Sequence, residues 1–354
     1  LSIYLLMALG LKGGFALDWA HDCAGVNDHQ AALLVERSIL GREAPGRLSM
    51  HAMARQYGLQ MLDTLPQADA HRRVFASAAL RRLLALSPQL VREDGAAAVD
   101  ALRPEIATLA AAFDLALHWE QPEEINPPLQ AMLRVYHRLG WSHAATRLIE
   151  AVLARHAQAP AAWRIIWHHM GAEIVHNQHG HQVNSEHFRS TLTLAGAVLP
   201  AGGYSGWLSG AASLCRALVA RPLAKALDRD AQAALAHSLL MLLTVRYANG
   251  AGTPEMFACL CAAILAARRS GHPEARLEVM VKLMAFEKLG GRPRVYAAML
   301  RRMRRDLKDA TPAYEARVLK GMNEAMIAMG EWDAAVSCLR RASADRITAV
   351  IPYF

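Results

Sequence analysis

The sequence predicts an all-α chain of antiparallel helix pairs stacked as a superhelix, and three observations carry that expectation. Alanine, leucine and arginine dominate the long segments, and alanine and leucine are among the strongest helix formers. Runs of alternating β-branched residues, which a half-buried strand favours, are almost absent. Glycine and proline cut the chain into intervals of helix length, with breaks at Gly41–Gly46, Pro66, Pro88, Gly95, Pro104, Gln121–Pro128, Pro160, Gly180 and Gly271–Pro273. Helices joined by short turns pack antiparallel with their neighbours. With 53% hydrophobic and 20% charged residues over 354 positions, the chain can bury a core and is not a disordered polymer. It has room for two domains or one extended solenoid.

The first segment, Leu1–Leu17, is apolar but interrupted by Lys12 and the Gly13–Gly14 pair. A membrane span needs roughly 20 apolar residues, so this one is short. It has no initiator Met, charged leader or small-residue cleavage site. Its Ile3–Gly14 string closely resembles a transmembrane segment of the sodium-dependent bicarbonate transporter family. No second span follows, and one segment cannot line a transport path, so the resemblance does not imply transport. Residues 1–20 are expected to be foreign to the helical domain, with membrane contact only if 1–17 genuinely belong to it.

Residues 21–195 are expected to form an N-terminal helical half. Within it Leu129, Met132, Tyr136 and Leu139 lie on one face, Gly140 ends the run, Ala145, Leu148, Ile149 and Val152 follow, and Pro160 closes the unit. The same order recurs at Val318–Ala342, where Leu319, Met322, Met326 and Met329 precede Gly330, and Trp332, Ala335, Leu339 and Ala342 come after it. Glycine can take the left-handed conformation that ends a helix, and Ala145 or Ala335 lets the two backbones approach. Residues 129–160 and 318–342 resemble tetratricopeptide repeats, with a weaker echo at Phe286–Gly290. That resemblance implies a right-handed superhelix whose concave surface holds a peptide or another protein, in adaptor or regulatory work without a cofactor.

Six histidines crowd one stretch: His168, His169, His176, His179, His181 and His187. If Ala161–Val175 is a helix extended to His176, then His169, Glu173 and His176 share a face at i, i+4 and i+7. Glu173–His176 is a Glu-x-x-His pair, the spacing di-iron bundles take from two of their helices, and its donors would suit iron, zinc or manganese. A second Glu-x-x-His is missing, and His176–His181 reads as a polar turn. Trp163 and Trp167, one turn apart, read as packing residues. Ala195–Gly210 is Gly-rich but lacks the Gly-Lys-Ser/Thr of a phosphate loop, and Ser205 lacks a nucleophile-elbow context. The stretch 196–210 is expected to be a flexible connection to a C-terminal helical half at 211–342.

The balance of 39 Lys and Arg against 31 Asp and Glu gives a net charge of +8. The helix Arg294–Lys308 concentrates part of it. Val295, Met299, Met303 and Leu307 make its apolar row, and Arg294, Arg301, Arg305 and Lys308 share the outer face. Such a stripe suits an acidic protein or peptide partner. Aromatics interleave poorly with it, so nucleic acid is not the expected partner. The five cysteines are odd in number and scattered, which fits a reducing cytoplasmic setting and neither a disulfide framework nor a zinc site.

The last segment, Leu339–Phe354, closely resembles an internal block of ribose-phosphate pyrophosphokinase, in which a helix leads into a buried strand. The phosphate loops and metal-binding histidines of that family have no counterpart upstream, so kinase chemistry is not implied. Residues 343–354 are expected to be a strand-like foreign tail, and both ends to be products of a fused, truncated or artificial reading frame, peripheral to function. The chain as a whole is expected to be a non-enzymatic interaction scaffold or regulatory adaptor with a basic helical-repeat surface and no cofactor. The alternative is a metal-dependent helical-bundle enzyme centred on His169, Glu173 and His176, and bound transition metal would separate the two.

Overall fold

A computed structural model describes residues 4, 7–9, 14–90, 95–179, 186–197, 203–248, 250–285, 301–303, 305, 333 and 336–337. The chain is predominantly helical, as the composition predicts, and divides into two compact units, Leu1–Trp141 and Ser142–Phe354. Among the described residues, no helix is long and apolar enough to cross a membrane.

The first unit opens with a feature the composition did not announce. Strands β1 (Phe15–Ala16), β2 (Leu40–Ala44) and β3 (Arg47–Met50) form an antiparallel sheet in the order β1-β3-β2. Phe15 pairs with Leu48 and Leu40 with Met50, and a bulge lies between Arg42 and Ala44. The β2–β3 turn is Pro45–Gly46, with Gly46 at φ 73°. Helix α1 (Leu17–Ala24) ends on Gly25 in the left-handed conformation, and α2 (Asp28–Glu36) starts with a capping box between Asn27 and Gln30.

Helices α3 (Ala52–Asp63), α4 (Ala68–Leu90), α5 (Gly95–Leu102), α6 (Ile106–Ala116) and α7 (Pro122–Leu139) complete the unit. The hub is α4, against which α1, α5, α6 and α7 pack through Phe75, Ala79, Leu80 and Leu83. The segment expected to be peripheral contributes to this core: Met7, Ala8, Leu9, Phe15 and Trp19 are buried, and the Tyr4 hydroxyl donates to the Ala54 carbonyl. Glu105 ties the sheet to the helices, accepting from the Ala16 N–H at 3.0 Å and from Arg47 at 3.1 Å. Burial pushes its carboxyl above the usual range despite both donors. The expected break at Gln121–Pro128 is instead the start of α7. Pro122 sits in the first turn, where a missing N–H costs nothing, and the Glu124 carboxylate accepts from the Gln121 N–H at 3.2 Å.

Gly140 ends α7 at φ 70°, and α8 (Ser142–Arg155) follows with Ala145, Ile149 and Val152 buried. Both halves of the predicted hairpin are therefore helical, but the boundary between the units falls between them, after Trp141. Within the second unit α8 packs on α9 (Ala161–His179), and α9 packs on α10 (Glu186–Leu194).

The described residues continue with helices α11 (Tyr204–Val219), α12 (Ala226–Ala248), α13 (Thr253–Ser270) and α14 (Pro273–Ala285). The pair α12 and α13 is antiparallel. Arg246 bonds Glu255 at 2.5 Å beside their connection, and the Cys259 thiol donates to the Leu239 carbonyl at 3.1 Å. By contrast α11 and α13 run parallel, with Gly206 at Pro254, Gly210 at Phe257, and Arg268 donating to the Ala217 carbonyl at 3.1 Å. Because α11, α12 and α14 all contact α13, both Cys259 and Cys261 are buried although they point to different faces. Burial pushes their thiols up to about 12 and about 11. Residues 204–210 are thus the first turns of a packed helix, where a flexible connection was expected.

Candidate functional site

Helix α9 begins after Pro160 and is apolar nearly all round, with Ile165, Ile166, Trp167, Met170, Ala172 and Ile174 buried. A helix of that pattern belongs inside a core, so its polar residues are carried inside with it. His169 is 0% and Glu173 5% exposed, one turn apart, with His169 Nε2 3.8 Å from Glu173 Oε2. His169 Nδ1 lies 3.0 Å from Ser238 Oγ on α12. The His169 ring stands 5.9 Å from that of His237, whose Nδ1 meets a carboxylate oxygen of Glu278 on α14. His237 and Glu278 are 1% and 5% exposed. Three helices therefore bring together two buried His–Glu pairs, running Glu173, His169, His237, Glu278, with Ser238 at the side.

This places two of the three predicted metal ligands, His169 and Glu173, next to each other in the core. His176 is half-buried two turns along from His169. Among the described residues no three His, Cys, Asp or Glu side chains are grouped so as to hold a metal ion, the predicted triad included. Sequence spacing missed His237, Ser238 and Glu278. The signal available was composition: His237 and Ser238 interrupt a run of alanines and leucines in α12 that is too apolar to lie on a surface.

A second histidine contact lies between α9 and α10. His168 Nδ1 is 3.0 Å from His187 Nδ1, and a Cβ at Gly171 would come within 2.7 Å of the His187 ring, so glycine makes room for it. Burial, then the neighbouring His187 and Arg164, push His168 down to about 4, and burial lowers His187 as well. The folded chain thus holds these imidazoles neutral at a pH where an unfolded chain, titrating near 6.5, takes up protons. Their contribution is fully present above about pH 6.5 and is lost as pH falls toward 4. The unfolding temperature is expected to fall over that window, and His168→Asn to flatten the fall. Thermal melts followed by circular dichroism from pH 7.5 to 4.5 check both.

Of the predicted basic stripe, Arg301 and Arg305 are exposed on helical backbone while Met303 is fully buried, in agreement with the in–out pattern. Arg294 and Lys308 lie outside the described residues, as does the hairpin at 318–342 apart from Asp333, Val336 and Ser337. Trp163 and Trp167 stack at 6.0 Å, and His156 lies 5.7 Å from the Trp167 ring, which is packing rather than a ligand platform. Compared with known proteins, the chain matches no family model, no curated protein and no solved structure.

Proposed function

We propose that this chain is a non-enzymatic protein-interaction scaffold or regulatory adaptor, built from stacked helix pairs in the manner of a tetratricopeptide superhelix. Its partner is a protein or peptide of acidic character. The stacking of α11 to α14 supports the architecture: sequence neighbours α12 and α13 lie antiparallel, and alternate helices α11 and α13 lie parallel. Helix hairpins laid side by side require that order. The observation that carries the partner assignment is the helix around Met303. Met303 anchors it in the core, and Arg301 and Arg305 stand one turn apart in solvent.

Such exposed cations act on encounter and orientation more than on stability. Replacing both Arg301 and Arg305 with glutamate is expected to lower partner capture by about tenfold and to leave helicity unchanged. Pull-down with immobilised chain, quantified beside circular dichroism, checks this. Capture undiminished by the double reversal would remove the basic face from the reading.

A further inference from the structure

Helix α11 is inside out. It meets α13 through Gly206, Gly210 and Ala217, while Tyr204, Trp207, Leu208, Leu214, Leu218 and Val219 are exposed. Those are six of the thirteen large exposed apolar side chains among the described residues, gathered on one 16-residue helix. Contiguous patches of this kind mark interaction sites, and no other described helix carries more than two of the remaining seven. The pattern along α11 is also specific. Tyr204, Leu208, Ala211, Cys215 and Leu218 are all exposed, at intervals of four, three, four and three. That is the seam one helix offers to another lying along it, and small Ala211 and Cys215 at its middle permit close approach.

Charge gives the seam a direction. No charged residue occurs from Gly203 to Cys215. At the C-terminal end Arg216, Arg221, Lys225 and Arg269 are exposed, and none of them pairs with a described carboxylate. Arg269 belongs to the same corner because its carbonyl accepts from the Leu223 N–H at 2.8 Å. Arg268 is already engaged there, donating to the Ala217 carbonyl.

We propose that the outer face of α11 seats an amphipathic helix of a protein partner, with a matching apolar seam, an uncharged body and carboxylates at the end over this corner. The assignment rests on the interaction reading above and names the surface and the partner's chemistry. A second copy fits less well. Antiparallel copies would lay each basic corner against a neutral half, and parallel copies would bring the cations together. An anionic lipid surface would answer the charge but not the four-three seam with its small central residues.

The test uses the full chain and two labelled synthetic peptides as long as α11, with leucines at four-three spacing. One ends in glutamates and the other in lysines. Fluorescence anisotropy is expected to show the glutamate peptide binding at least about tenfold tighter. Leu208→Glu should lower that affinity by about tenfold or more, and the pair Arg216→Glu, Arg221→Glu should reverse the preference between the peptides. Leu208 is exposed, so its loss does not threaten the fold, and the reversal is a gain that unfolding cannot mimic.

Equal affinities, or binding indifferent to Leu208→Glu, overturn the proposal. So does a dimer that Leu208→Glu makes monomeric, flotation with phosphatidylserine vesicles that the same change abolishes, or peptide binding seen only after residues 318–342 are deleted. If Arg301→Glu, Arg305→Glu abolishes peptide binding and Leu208→Glu does not, the scaffold reading stands and the α11 assignment falls. If no peptide binds and no partner is captured, both fall.

Discussion

Replacing His237 with leucine is expected to lower the unfolding free energy by about 3–5 kcal/mol. The imidazole and the Glu278 carboxylate meet between α12 and α14 with almost no exposure, and α12 also carries the Leu239, Leu240, Leu242 and Leu243 core. Taking a carboxylate out of water costs several kcal/mol, and a buried partner repays it only while it is there. The single change leaves that carboxylate facing leucine methyls. Replacing Glu278 with leucine as well removes the group that was stranded, and apolar pairs of similar volume are often neutral or better in such places. The double variant is therefore expected to recover most of the loss. Urea denaturation of wild type, both singles and the double gives the coupling directly. Effects that simply add would mean that the pair contributes packing and no ionic contact.

Much of the helical framework was legible in residue order because its signals are local. Pro160 opens α9, and Gly140 and Gly271 close α7 and α13 in the left-handed conformation. Met303 turns in and Arg301 and Arg305 turn out, as a 3.6-residue period requires. The sheet was not legible, because strands of two, five and four residues are too short for a period of two to stand out. The apolar run at 1–17 looked foreign because its Ile3–Gly14 string resembles a transporter segment, and a local likeness does not say what a run packs against. Its partners lie far along the chain, with Phe15 against Leu48 and Tyr4 against Ala54. The candidate site divides in the same way. His169 and Glu173 are one turn apart, so spacing finds them together. His237 and Glu278 join them only through the packing of α9, α12 and α14, which no local pattern encodes.

The glycines of α11 show the same limit, and they make the sharpest prediction about packing. In an isolated helix alanine is favoured over glycine by roughly 1 kcal/mol, so Gly206→Ala should stabilise a helix that stands free. Here the sign is expected to reverse. A Cβ at Gly206 would lie 2.8 Å from the carbonyl carbon and oxygen of Pro254. That neighbour is backbone in the first turn of α13, and its ring fixes φ, so it cannot swing aside. At Gly210 the added carbon would come within 2.4 Å of the Phe257 ring, which is itself packed 4.8 Å from Trp207. Overpacking of this kind costs about 1–3 kcal/mol, and Gly206→Leu should reach the upper end. Ala212→Leu, on the exposed side of the same helix, should change stability by no more than about 0.5 kcal/mol. Thermal unfolding of the three variants, with trypsin cleavage after Arg216 as a measure of α11 detachment, decides the matter. A stabilised Gly206→Ala would place α11 away from α13, and its small face could then no longer be why its large side chains point outward.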